Sequence, residues 1–175
     1  MSTVYIALGA NLGNRQANLR MALRAMTRMA RVRAVSALYE SEPERDPAQP
    51  AYYNAVCRIE TGLEPPALLR FLKGLEYEIG RRPTTAAGAP RPIDLDVLLF
   101  DDRVVDSEDL VIPHPRMAAR PFVMHPLAEI SPDATVPGTS ETVKTLAKRA
   151  GQAGLKRVVD AGWDGVVGAS QQMRL

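Results

Sequence analysis

The chain has 175 residues, 46% of them hydrophobic and 24% charged, which suits one folded domain with one core and excludes a disordered or fibrous chain. Its 22 Lys and Arg stand against 20 Asp and Glu, a net charge of +2 that is too even to imply a nucleic-acid partner. A lone cysteine, Cys57, excludes an internal disulfide, and the start lacks a basic leader with a long apolar stretch. With no apolar run near the roughly 20 residues that span a bilayer, a cytoplasmic protein without membrane partners is predicted.

Residues 3–8 are short, β-branched and aromatic, and end at Gly9, so a strand is predicted entering the turn Gly-Ala-Asn-Leu-Gly13. Asn14 then caps a helix on which Leu19, Leu23, Met26 and Ala30 recur at helical spacing. Arg20, Arg24, Arg28 and Arg31 of the same helix fall within an arc of about 80° on another side, which reads as a solvated face. Residues 32–39 read as a second strand, 40–50 as an acidic loop, and 53–61 as a third strand with Cys57 as a small core residue. Pro65 and Pro66 suit a first helical turn, Leu68, Leu72, Leu75 and Ile79 continue it, and Gly80 stops it.

The loop 81–92 carries three arginines and leads to an apolar fourth strand, 93–100. Strand, helix, strand, strand, helix, strand is the order of the split βαβ unit, so an α+β, ferredoxin-like sandwich is predicted, mainly antiparallel, with helices packed on its faces. Beyond it, Val104 and Val105 read as a hairpin return, 116–120 as a short helix, 142–150 as another and 155–159 as a last strand. One domain over 1–175 is expected, with its core at roughly 3–160 and no assignment for 161–175.

In Ile93-Asp94-Leu95-Asp96-Val97 the period of two sends the apolar residues to one face and both aspartates to the other. Like charges about 5 to 6 Å apart at an effective dielectric near 20 repel by roughly 3 kcal/mol, which a bound cation removes. Oxygen ligands of this kind suit Mg²⁺, which takes one or two carboxylates plus water and substrate phosphates. Arg81, Arg82 and Arg91 stand just upstream, and His114, Arg116 and Arg120 form a second cationic set, the combination that phosphoryl transfer requires. A P-loop ending, a protein-kinase loop, a zinc ligand set and a nucleophilic triad are all missing.

The run Ala89-Pro-Arg-Pro-Ile-Asp-Leu-Asp-Val-Leu-Leu-Phe100 closely resembles the signature of the 6-hydroxymethyl-7,8-dihydropterin pyrophosphokinase family. Tyr5 to Gly13, Ser36 to Pro43, Gln49 to Asn54, Ile112 to Pro115, Arg120 to Phe122 and Pro126-Leu127 agree with it in order and spacing, so the likeness spans roughly residues 3 to 135. The resemblance implies a monomeric enzyme that moves the pyrophosphoryl group of ATP to the hydroxymethyl oxygen of the pterin, releasing AMP. By the same resemblance Asp94 and Asp96 would hold a pair of Mg²⁺ ions, and either could help to accept the alcohol proton. Arg81 and Arg91 would be catalytic, and Glu76, Arg81, Arg91, Val97, His114 and Arg120 would bind ATP. Ser41, Glu42, Pro43, Tyr52, Asn54 and Phe122 would hold the pterin, with the ring between Tyr52 and Phe122.

The chain departs from the family where many members carry a basic residue and an aromatic, positions held here by Ala87 and Gly88, and where the usual Thr-Pro is Ser41-Glu42. The residues leave other readings open: a paralogue acting on another alcohol, a metal-dependent nucleotidyl transferase or cyclase, and a nucleic-acid-binding module using the Arg20 to Arg31 stripe. Attack at the β-phosphorus releases AMP and attack at the α-phosphorus releases pyrophosphate, so the product separates the first two chemistries.

Overall fold

A computed structural model describes residues 1–83, 86 and 88–168; Ala87, noted above, and residues 169–175 lie outside the described residues. The strands are β1 (Ser2–Ala10), β2 (Ala30–Val35), β3 (Leu38–Ser41), β4 (Tyr52–Thr61), β5 (Asp94–Phe100), β6 (Val105–Asp106), β7 (Val111–Ile112) and β8 (Leu155–Val159). The helices are α1 (Arg15–Met26), α2 (Pro65–Ile79), α3 (Pro121–Ile130) and α4 (Val143–Ala150). The main sheet runs β5-β1-β4-β3-β8, with β2 also on β4, and every pairing is antiparallel. This is the predicted ferredoxin-like α+β arrangement.

Local signals set the two helices of the central unit. The Asn14 side chain accepts the Ala17 N–H at 3.0 Å and starts α1, while Gly80 ends α2 in the left-handed region at φ 116°, which a side chain would oppose. Both helices cover one face of the sheet: Leu19, Leu23, Met26, Leu68, Leu72 and Leu75 pack on Val4, Ile6, Leu8, Cys57, Ile59 and Leu95. Each fully buried leucine contributes about 2 kcal/mol of transfer free energy. The opposite face is covered by α3 and α4, whose Val123, Met124, Leu127, Val143 and Leu146 cluster with Val56, Leu98 and Leu99.

Three features differ from the sequence reading. The single strand expected over 32–39 is two strands, because the Ser36 side chain interrupts the ladder: its Oγ accepts the Val56 N–H at 3.0 Å and donates to the Ala37 carbonyl at 2.8 Å. A hydroxyl standing in for a backbone acceptor competes locally with strand pairing. The helix expected at 116–120 is only a 3-10 turn, Met117–Ala119, and the longer α3 follows it. Pro126 inside α3 hides its 3.6-residue pattern, which is carried by Val123, Met124 and Leu127.

The third difference lies beyond residue 160, where no role was expected. Trp163 is buried, its Nε1–H donates to the Ser36 carbonyl at 2.8 Å, and its own carbonyl accepts Arg20 Nε–H at 2.6 Å. Buried Asp164 accepts the N–H groups of Val166 and Val167 at 2.8 and 3.0 Å, forming the turn that brings Val166 into the α1-side core. Arg20 therefore ties the end of the described chain to α1, and Arg28 pairs with Glu78 at 2.9 Å, so two members of the basic stripe have partners within the fold.

Replacing Trp163 with Ala removes a large buried ring and a hydrogen bond at the break between β2 and β3. The expected loss is about 3 to 5 kcal/mol of stability, read as a lower urea midpoint by circular dichroism. An unchanged midpoint would refute the plugging role.

Candidate active site

A cleft of about 310 Å³ opens where the C-terminal end of β1 meets the N-terminal ends of β4 and β5. Asp94 and Asp96 both line it, while Ile93, Leu95 and Val97 point into the core on the other face. The register sets Gly9 of β1 opposite Asp94 and beside Asn54 of β4. A methyl group on Gly9 would sit 3.6 Å from Asn54 Oδ1 and 3.7 Å from the Tyr52 ring, filling the floor of the cleft.

The two aspartates have different surroundings. Arg81 Nη1 donates to Asp94 Oδ1 at 2.6 Å and Arg91 Nη1 donates to Oδ2 at 3.2 Å. Burial works against the Asp94 carboxylate, but the charges of Arg81, Arg91 and Lys73 outweigh it and hold its pKa below the ordinary value. The Asp96 side chain makes no hydrogen bond or ion pair among the described residues, and its pKa is raised by burial and by the neighbouring Asp94 charge. One carboxylate is neutralised by arginines and the next is left to a ligand.

Glu76 of α2 fixes this arrangement from behind. Its Oε1 accepts the Leu95 N–H and Lys73 Nζ, each at 2.8 Å, and its Oε2 accepts Arg81 Nη1 at 2.8 Å. The carboxylate is buried, and desolvation raises its pKa against the pull of Lys73 and Arg81. Glu76 therefore lies beneath the cleft and orients Arg81, and Val97, only 4% exposed, points away from it. Neither side chain lines this cleft.

His114 also stands back from the cleft, held by a bulge in β5. The β1–β5 register passes from Tyr5↔Leu99 to Ile6↔Val97, leaving Leu98 unpaired with β1, and the Leu98 carbonyl accepts the His114 N–H at 2.9 Å. Burial lowers the His114 pKa although Asp96 pulls it upward. Its Nδ1 accepts the Arg116 N–H at 3.2 Å, which leaves Nε2 to carry the proton of the neutral ring. Arg116 and Arg120 line the cleft itself, and Arg120 is bound side-on to Glu44 at 2.9 and 3.2 Å.

Ser41, Glu42, Pro43, Tyr52, Asn54 and Phe122 line the same cleft. Asn54 is buried, and its amide nitrogen donates to Ser41 Oγ at 2.8 Å and to the Tyr39 carbonyl at 3.4 Å. Its Oδ1 has no such partner among the described residues, so Asn54 offers a ligand an acceptor rather than a donor. The Tyr52 pKa is raised by burial, with Arg91 opposing.

Several contributors were not singled out from the sequence. Buried Asn11 accepts the Arg91 N–H at 2.8 Å and donates to Gln49 Oε1 at 3.2 Å, and Gln49 Nε2 donates to the Gly88 carbonyl at 2.6 Å. This chain of amides joins the turn after β1, the loop before β4 and the loop before β5. The sign available beforehand was Asn11 within the Gly9 to Gly13 turn, where a short amide side chain bonds nearby backbone. Glu44 carried no local signal, because its partner Arg120 lies 76 residues along the chain, whereas Lys73 meets Glu76 within α2 at the i,i+3 spacing.

The aspartate pair supplies oxygen donors only, and among the described residues no group of three or more His, Cys, Asp and Glu side chains gathers around a common point. A hard divalent cation that retains water and ligand oxygens fits such a pair. Replacing Glu76 with Ala leaves the buried Leu95 N–H without its side-chain acceptor and Arg81 with one carboxylate fewer. The expected loss is about 3 kcal/mol, and Glu76→Gln, which keeps an acceptor for Leu95, should lose less. Equal urea midpoints for wild type and Glu76→Ala would contradict this anchoring role.

Residues 5–132 match a family model described as 7,8-dihydro-6-hydroxymethylpterin-pyrophosphokinase (HPPK). The chain is 40% identical to the 2-amino-4-hydroxy-6-hydroxymethyldihydropteridine pyrophosphokinase of Pseudomonas aeruginosa over 146 residues, covering 82% of this chain and 90% of that protein. It is also 40% identical to the Haemophilus influenzae protein of the same name over 151 residues, with 85% and 93% covered. It is 42% identical to the folic acid synthesis protein fol1 of Pneumocystis carinii over 83% of this chain, yet spans only 20% of that longer protein. Among solved structures, Plasmodium falciparum HPPK-DHPS aligns with a TM-score of 0.71 at 15% identity, over 85% of this chain and 44% of that one, a likeness of fold alone. With most of its length matched and full-length bacterial relatives at this identity, the chain belongs to the 7,8-dihydro-6-hydroxymethylpterin-pyrophosphokinase family.

Proposed function

We infer that the protein transfers the pyrophosphoryl group of ATP to the hydroxymethyl oxygen of 6-hydroxymethyl-7,8-dihydropterin, giving the pterin diphosphate and AMP. The observation that carries the reading is one cleft with two unlike sets of residues. Asp94, Asp96, Arg91, Arg116 and Arg120 bring charge to it, and Tyr52, Asn54, Phe122 and residues Ser41 to Pro43 bring ring faces and polar groups. Polyphosphate needs the first set and a flat heteroaromatic ring suits the second.

Asp94 and Asp96 would hold Mg²⁺, which when bound would neutralise phosphate charge. The arginines would do the remaining electrostatic work. Arg81 and Arg91 are presented by a buried framework of Glu76 and Asn11, so their positions are set before a ligand arrives. Arg120, at the start of α3, and Arg116 would hold the phosphate chain together with Arg91. Tyr52 and Phe122 would stack on the ring, and Asn54 Oδ1 would accept an N–H from its edge. Excluding water is the task of the loop before β5, tied to the cleft wall through Gln49 and Gly88.

Incubation with ATP, Mg²⁺ and 6-hydroxymethyl-7,8-dihydropterin should yield AMP only when the pterin is present; pyrophosphate instead of AMP would favour a nucleotidyl transferase. Asp96→Asn removes a charge without breaking a contact within the fold and relieves its repulsion with Asp94, so turnover should drop by roughly 100-fold or more while the melting temperature holds or rises. Full magnesium-dependent activity in that variant would end the metal assignment. Asn54→Ala should weaken pterin binding by about tenfold while leaving ATP affinity nearly unaltered, measured by calorimetric titration of each. Equal losses for both ligands would count against the pterin pocket.

A further inference from the structure

Arg120 is held by a carboxylate that comes from neither the metal pair nor its own helix. Its Nε and Nη2 donate separately to Glu44 Oε1 and Oε2 at 3.2 and 2.9 Å, the side-on fork that a guanidinium also offers to a phosphate. The Arg120 side chain is only 12% exposed and that of Glu44 is 45% exposed, so the acid lies on the solvent side of the pair. Glu44 belongs to the segment between β3 and β4, which begins with the Ser41–Pro43 wall and is fastened at its far end by Gln49 to Gly88 and Asn11. The Arg120 bridge is the tie that crosses the cleft from this segment to α3.

We propose that Glu44 is an internal anion that occupies Arg120 in place of phosphate, so that nucleotide binding must displace it and thereby frees the segment between β3 and β4. The inference rests on the nucleotide reading of the cleft and adds to it an element of regulation. A carboxylate and a phosphate cannot use the same fork at once, and their like charges oppose any shared arrangement. Nucleotide affinity is thus lowered by the work of breaking the Glu44 pair, and a ligand that takes Arg120 shifts the segment towards its released state. A displaced side chain has somewhere to go: Glu44 also borders an adjoining recess of about 190 Å³ lined by Phe122, Gly154 and Leu155.

The test is calorimetric titration of α,β-methylene-ATP with Mg²⁺ into the full chain and its Glu44→Gln variant. The variant is expected to bind roughly threefold to tenfold more tightly, with a matching fall in the KM for ATP. In an Arg120→Gln background the same change at Glu44 should have no further effect, because its partner is gone. Unchanged or weaker binding by Glu44→Gln, or an equal gain in the Arg120→Gln background, overturns the proposal. A residue that merely props the loop would lower the melting temperature without tightening nucleotide binding. Pterin-dependent AMP release, assayed in parallel, separates the two readings. Its absence with the Glu44 effect intact removes the pyrophosphokinase reading and leaves the internal anion, and its presence without that effect removes the internal anion alone.

Discussion

The constraint on which the cleft depends is the placing of two like charges on the same side of one strand. Asp94 and Asp96 share a face of β5 because residues two apart must, and at an effective dielectric near 20 their repulsion is roughly 3 kcal/mol. The fold relieves only half of this. Arg81 and Arg91 close on Asp94, whereas Asp96 is left open to the cleft with its proton affinity raised. An electrostatic deficit held open beside a set of guanidinium groups is a standing demand for a cation and an anion together.

The apolar architecture keeps that deficit rigid. Both faces of the sheet are covered, by α1 and α2 on one side and α3 and α4 on the other, and the cleft opens at the end of the strands. Glu76 links α2 to the first residues of β5 through the Leu95 N–H, so the carboxylate pair cannot shift without disturbing a buried ion cluster. The bulge at Leu98 sends both Leu98 and Leu99 to the α3 side before Phe100 returns to the α1–α2 core, and its carbonyl seats His114 near the aspartates. The connecting loops, by contrast, are joined by exposed or half-exposed polar bonds, and these are the contacts a ligand can exchange. Rigidity is concentrated beneath the chemistry and exchangeable contacts around it.

The Arg20 to Arg31 stripe shows how local pattern and tertiary use diverge. Arg24 stays on the solvent side of α1, and Arg31, expected on the same helix, is an exposed residue of β2 because α1 ends at Met26, while Arg20 reaches the Trp163 carbonyl and Arg28 reaches Glu78. The stripe thus holds the ends of the structure together in part. A binding surface for nucleic acid would need these cations unpartnered and in line.

The strands, the first two helices, their Asn14 and Gly80 boundaries and the shared face of Asp94 and Asp96 were legible from the sequence, because each follows from neighbours within a turn or a strand period. Resemblance pointed to Arg91, Arg120, Asn54, Tyr52 and Phe122 by the motifs around them, and these line the cleft. The break at Ser36, the burial of Trp163, the hidden helix at Pro126, the retreat of Glu76 and Val97 from the cleft and the grip of Glu44 on Arg120 were not legible. The burial of Trp163 and the grip of Glu44 are decided by partners far along the chain, 127 residues away for Trp163 and Ser36 and 76 for Glu44 and Arg120, and the others by contacts with neighbouring elements that no short period encodes. The sequence by itself therefore determined the kind of chemistry, since residue type and short periodicity are local properties. Only the tertiary structure decided which charge meets which, since side chains choose partners by distance, and distance is a property of the folded path.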